Sequence, residues 1–177
     1  MSEPTEWPEP LRLSAVGRTP IDVTIVPDAA RRVRIARDLG LDALDSLEAD
    51  LKVTPWLDGA AIDGRWRARI EQTCGVSLEP FQTALEGEFT VRVVPADSPN
   101  APKVEGPEIA VDPEAEDPPD VLEDDRIDLG AYVLEHLALE IDPFPRKPGA
   151  VFTPPDEPEP PSPFAVLRDL KPRKEGG

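Results

Sequence analysis

One cysteine, one histidine, one tyrosine and one methionine are all that the 177-residue chain holds of those types. A lone cysteine, Cys74, cannot make a disulfide framework. Cys74 and His136 stand far apart in sequence, and a zinc site needs about four thiolate or imidazole ligands. Neither a metal nor a cofactor is therefore expected. No apolar run approaches the ~18 residues that a membrane span requires. The N-terminus, MSEPTEWPEP, is acidic and has no hydrophobic stretch, which argues against a signal or transit peptide. A soluble, cytoplasmic protein with no membrane partner is expected. Bases are also scarce: 19 Lys and Arg face 36 Asp and Glu, a net charge of −17. That balance speaks against a simple nucleic-acid binder, because phosphates are met with Lys and Arg.

Proline, by contrast, is abundant, at 24 of 177 residues, where about 5% is usual. The prolines cluster, nine of them between Asp142 and Pro163. The acids cluster too: Glu105 to Asp125 holds ten and no base. Such a run reads as a solvated, disordered insertion. The expected organisation is a flexible N-terminus over 1–10 and a single α+β domain from 11–95 and 126–142. An acidic disordered insertion over 96–125 interrupts that domain, and a Pro-rich tail over 143–177 follows it, with a short helix at about 163–171. A core of that size can be buried in one domain.

The domain is organised around a long ribbon. Trp66, Ala68 and Ile70 alternate with Arg65, Arg67 and Arg69; Phe81, Thr83, Leu85, Phe89, Val91 and Val93 alternate with Gln82, Glu86, Glu88, Thr90 and Arg92. A period of two marks half-buried strands. Earlier, Leu11–Val16 and Ile21–Ile25 suggest a hairpin around Gly17-Arg18-Thr19-Pro20, and the alternation from Leu47 through Val53 a third strand ending at Pro55-Trp56. Asp28 is placed to cap a helix from Ala29 to Leu39 that stops at Gly40. Its apolar arc comprises Ile35, Leu39, Ala36 and Val33, with Arg32 snorkelling. Asp128 caps a second helix, Leu129 to Ile141, apolar over nearly the whole wheel, Leu139 included, and so expected to be buried. Strands joined by short turns with helices on one face make an α+β fold with an antiparallel sheet of about five or more strands. A monomer is expected.

No catalytic constellation is visible. His136 has no nucleophile or orienting partner, and the carboxylates sit mostly in a run too pliant to preorganise a site. The basic groups are the binding candidates. Arg65, Arg67 and Arg69 share one strand face at ~6.6 Å spacing, fit to track phosphates. Glu48, Asp50, Glu86 and Glu88 on neighbouring strands are placed to neutralise them. Arg31, Arg34 and Arg37 line a helix edge with only Asp38 nearby, and Arg168 and Lys171 belong to a basic cluster in the tail.

The turn Cys74-Gly75-Val76-Ser77-Leu78-Glu79-Pro80, the helix opening Ile127-Asp128-Leu129 and continuing through Val133, Glu135, Leu137 and Leu139, Pro143-Phe144-Pro145, and the tail Pro163-Phe164-Ala165-Val166-Leu167 occur in a telling order. Together they resemble the YceD family of bacterial and chloroplast proteins linked to accumulation of large-subunit ribosomal RNA. The resemblance implies family-motif positions at Cys74, Leu78, Pro80, Asp128, Leu129, Glu135, Pro163 and Phe164. It also implies a non-enzymatic role in ribosome biogenesis, with ribosomal RNA or a ribosomal protein as partner. The alternative is an acidic adaptor that binds a basic protein without RNA contact. One departure stands out. The family's usual second cysteine of the turn is replaced by Ser77, and Pro145-Arg146-Lys147-Pro148 carries no cysteine where many members have one or two. The turn should then be held by packing.

Overall fold

The computed structural model describes residues 7–102 and 117–152. Its centre is a three-stranded meander of long strands: β3 (Ala43–Trp56), β4 (Gly59–Thr73) and β5 (Pro80–Pro95). The β3–β4 connection is the two-residue turn Leu57-Asp58, with Trp56 opposite Gly59. Leu57 adopts φ 52° there, a conformation that is costly for a residue with a side chain. The turn is tied down from outside, since Ser98 Oγ and Asn100 Nδ2 both donate to Asp58 Oδ1 at 2.9 Å. Those bonds, Asn100 first, lower the Asp58 carboxyl below its ordinary pKa.

Around the meander, β2 (Ile21–Ile25) pairs antiparallel with β3, and β6 (Asp120–Leu122) pairs parallel with β5, giving the order β2-β3-β4-β5-β6. Two helices, α1 (Ala29–Asp38) and α2 (Leu129–Glu140), lie on one face, α1 over β3 and α2 over β5 and β4. The architecture is α+β, with a mostly antiparallel five-stranded sheet. Both helix caps form as the sequence suggests: Asp28 Oδ1 accepts from Arg31 N at 2.6 Å and Asp128 Oδ1 from Ala131 N at 2.9 Å. Gly40, at φ 68°, supplies the left-handed residue that ends α1.

The face beneath the helices is apolar. Register pairs Leu47 with Ala68, Ala49 with Trp66 and Val53 with Ile62, and these side chains join Ile25, Ile35, Val93, Ile127, Leu129, Val133 and Leu137 in one buried cluster. Burying each such large aliphatic side chain is worth about 1.5–3 kcal/mol. Gly64 has a specific place in this layer. A Cβ there would come within 2.8 Å of Leu51 Cδ2 and closer still to the Phe89 ring, so the missing side chain makes room for Phe89. One polar atom of the layer, Trp66 Nε1, has no partner among the described residues.

Several expectations are corrected. Leu11–Val16 is not the first arm of a hairpin. β1 is only Leu11–Arg12, a 3-10 turn follows at Leu13–Ala15, and β1 pairs with β7 (Arg126–Ile127) as a separate two-stranded sheet. Asp125 fixes this arrangement by accepting from Ser14 N at 2.9 Å and Ser14 Oγ at 2.6 Å. Those bonds lower the Asp125 carboxyl's pKa. The acidic stretch assigned to an insertion over 96–125 is not wholly outside the fold, since β6 lies within it; Leu122 is buried and gives the strand its hold. The N-terminus assigned as flexible includes Trp7, which packs over Gly130 and under the Arg31 guanidinium, 4.3 Å from the ring centroid. Val33 and Leu139, expected in apolar arcs, are 62% and 76% exposed, because each helix meets the sheet along one side only. β3 begins at Ala43 rather than Leu47, and contains a register shift between Leu44 and Ser46. The short helix proposed for 163–171, and with it Pro163, Phe164, Arg168 and Lys171, lies outside the described residues, as does 103–116.

Candidate functional site

Three arginine groups and one turn carry the functional expectations, and the fold treats them differently. Arg65, Arg67 and Arg69 project from β4 on the face away from the helices, all exposed. Register sets Arg65 between Asp50 and Glu88, and Arg67 between Glu48 and Glu86. Arg67 Nη2 meets Glu48 Oε1 at 2.9 Å and Arg65 Nε meets Glu88 Oε2 at 3.5 Å. Arg69 faces Ser46 and Ala84 and makes no ion pair with a described residue. Arg65 and Arg67 are thus flanked by acids on both sides, and their charge is locally compensated.

On α1 the picture differs. Arg31 is drawn inward onto Trp7, and Arg32 snorkels to donate to Pro27 O at 2.9 Å. Arg34 and Arg37 are exposed, and no described carboxylate pairs with either. The β1–β7 ribbon adds two bases that local patterning does not single out. Arg12 lies directly opposite Arg126, an unfavourable like-charge pair by itself. Asp125 and Asp124 stand beside them, the latter 3.9 Å from Arg126. Nothing short of the long-range β1–β7 pairing could have shown that these two meet.

The turn after β4 continues the inward-facing row of that strand: Trp66, Ala68, Ile70 and the half-buried Gln72 lead to Cys74, which is fully buried. Its backbone closes a tight loop, with Leu78 N donating to Cys74 O and Cys74 N to Glu79 O, both at 2.9 Å. Leu78 takes φ 57° and is exposed, while Pro80 opens β5. The sulfur accepts from three backbone N–H groups, those of Val76 and Ser77 at 3.4 Å and that of Lys147 at 3.3 Å. The Ser77 hydroxyl is buried and near enough to pull on the thiol, yet not aligned for a full hydrogen bond. That side chain first, then the Ser77 and Lys147 N–H groups, bring the thiol's pKa down from 9.0 to about 6, against the opposing effect of burial.

The loop after α2 docks onto this turn. Gly75 N donates to Pro145 O at 2.9 Å, and Lys147 Nζ meets Glu79 Oε2 at 2.8 Å; the pair lowers the Glu79 pKa and raises that of Lys147. The fold therefore brings together the two places, 74–77 and 145–148, at which the resemblance puts cysteines in other members. Packing alone does not hold the turn here, contrary to the sequence-based expectation. A polarised sulfur, its N–H donors and one surface ion pair do so. A buried thiol of this kind is structural, because a nucleophilic cysteine needs access as well as a low pKa.

The remaining motif positions are architectural. Asp128 is the α2 cap, Leu129 is buried and Glu135 is exposed. His136 stacks on Phe89, centroids 4.1 Å apart, with Nδ1 2.9 Å from Tyr132 O. Tyr132 in turn donates to Asp120 Oδ2 at 3.0 Å, and burial, with Asp120 beside it, raises its pKa. Among the described residues no group of three or more His, Cys, Asp and Glu side chains could hold a metal ion, and no helix is long and apolar enough to cross a membrane.

No curated protein and no solved structure matches the chain. A protein-family model does, over residues 62–171, which takes in most of β4, the Cys74 turn, β5, β6, β7, α2 and the loop that docks on the turn. By that match, which covers more than half of the sequence, the chain belongs to the YceD family, described as large ribosomal RNA subunit accumulation protein YceD.

Proposed function

We propose that the chain is a non-enzymatic factor supporting accumulation of large-subunit ribosomal RNA, and that it contacts RNA through the outer edge of α1. The family description supplies the process. The observation that favours this edge is the exposure of Arg34 and Arg37 without a described carboxylate partner, in a molecule where Arg65 and Arg67 are already paired. Uncompensated arginines at helical spacing suit phosphate contacts, which set affinity rather than sequence preference. In this reading Arg31 is a positioning residue, holding α1 against Trp7.

The test is crosslinking of bound RNA in cells, followed by sequencing, for the unmodified chain and for an R34E/R37E variant. Enrichment of large-subunit ribosomal RNA that the variant loses is the expected result. With purified components, each of Arg34→Ala and Arg37→Ala should reduce the salt dependence of RNA binding by about one phosphate contact. Absence of RNA crosslinks together with nuclease-resistant, salt-sensitive retention of a basic ribosomal protein would replace this reading with the adaptor. The acids of β3 and β5 would then be its binding surface.

A further inference from the structure

β5 is left half-paired. Its partner β6 meets it only at Val93–Pro95, and no described strand lies beside the edge from Phe81 to Val91. Such an edge exposes alternate N–H and C=O groups, and natural proteins cover it with a helix or loop, or blunt it. Alongside the lower half of this edge runs a groove of ≈ 390 Å³, lined among others by Phe81, Thr83, Leu85, Glu140, Pro145 and Pro148. Phe81 and Leu85 are only partly buried, and Phe144 beyond α2 is 79% exposed.

We propose that this groove is the seat of the chain's own segment Pro163–Lys171, which covers the β5 edge in cis. Three observations converge on that occupant. The family model runs from residue 62 through residue 171, so the segment belongs to the same unit as β4, β5 and α2. The described chain ends at Phe152, four residues after Pro148 in the groove wall. The Pro-rich connection from there to Pro163 can span about 30 Å at about 3.1 Å per residue, ample to return to the groove. The segment is also chemically suited. Its sequence carries Phe164, Leu167 and Leu170, apolar groups for Phe81 and Leu85. Arg168 and Lys171 are then available to Glu140 and Asp142 at the mouth, where Arg146 is the base already present. The inference is independent of whether α1 meets RNA.

Amide hydrogen exchange on the full-length protein tests it. The unmodified chain is compared with a full-length F164D/L167D variant, whose substitutions lie outside the described core. Peptides covering 81–91 should be protected in the unmodified chain and exchange about tenfold faster or more in the variant, with β3 and α1 unchanged. Equal exchange in the two proteins overturns the proposal. So does protection that grows with protein concentration, which would put a second copy in the groove. A cysteine pair at Leu85 and Leu167 (L85C/L167C) should also form a disulfide within one chain at low concentration; only intermolecular product would count against it.

Discussion

β4 shows its two faces side by side. On one, Trp66, Ala68 and Ile70 are buried beneath the helices; on the other, Arg65, Arg67 and Arg69 are exposed. The buried row is matched by shape, with Gly64 leaving room for Phe89. The exposed row is matched by charge at Arg65 and Arg67, with acids on β3 and β5 in register. Shape matching in a close-packed layer tolerates little change, whereas exposed ion pairs contribute little to stability. The comparison also explains where recognition can reside. A strand arginine inherits neighbours on both sides at ~5 Å, and at Arg65 and Arg67 those neighbours are acids. A helix edge has no such flanking rows, so Arg34 and Arg37 keep their charge available.

The strongest way to break the contrast is to put a side chain into the buried row. Gly64→Val forces atoms against Leu51 and Phe89 and should destabilise the fold by about 3 kcal/mol, measured by urea unfolding. A change near zero would mean that the layer is not packed as described. The middle case lies where the buried row ends, at Cys74. Its folded-state pKa is depressed from 9.0 to about 6. The thiolate's contribution is therefore complete above pH 9 and is lost as pH falls through that interval toward 6. The stability gap between the unmodified chain and Cys74→Ala should widen from pH 6 to pH 9; a constant gap would contradict the polarised sulfur. The smallest effect is expected on the exposed row. The R65A/R67A variant should leave the melting temperature and RNA binding unchanged, and a loss of RNA binding comparable with R34E/R37E would erase the distinction between strand and helix arginines.

What could be read from the sequence follows the range of the interactions involved. The β3–β4–β5 meander, both helices and both Asp caps rest on contacts between near neighbours, and period and capping chemistry reveal these. The pairing of Leu11 with Ile127 joins distant parts of the chain, and a two-residue strand has no period to detect. β6 has one buried residue, Leu122, inside an acidic run, so composition pointed away from it. At the candidate site the neutralising acids around β4 were legible from alternation alone. The role of Trp7 was not, because the surfaces it joins, Arg31 and Gly130, come from helices far apart in the chain. The Lys147–Cys74 contact was missed for the same reason, though the resemblance had marked both places.

The parallel pairing of β5 with β6 has an evolutionary consequence. It sets Val93 beside Asp120 and Pro95 beside Leu122, so the stretch from Pro95 to Asp120 has both its ends anchored on adjacent strands. The entropy cost of joining fixed ends grows only with the logarithm of the intervening length, and doubling it costs about 0.6 kcal/mol. The stretch between Pro95 and Asp120 can therefore gain or lose residues, and with them about a third of the molecule's net negative charge, at little expense to the domain. Charge and fold become separately adjustable quantities.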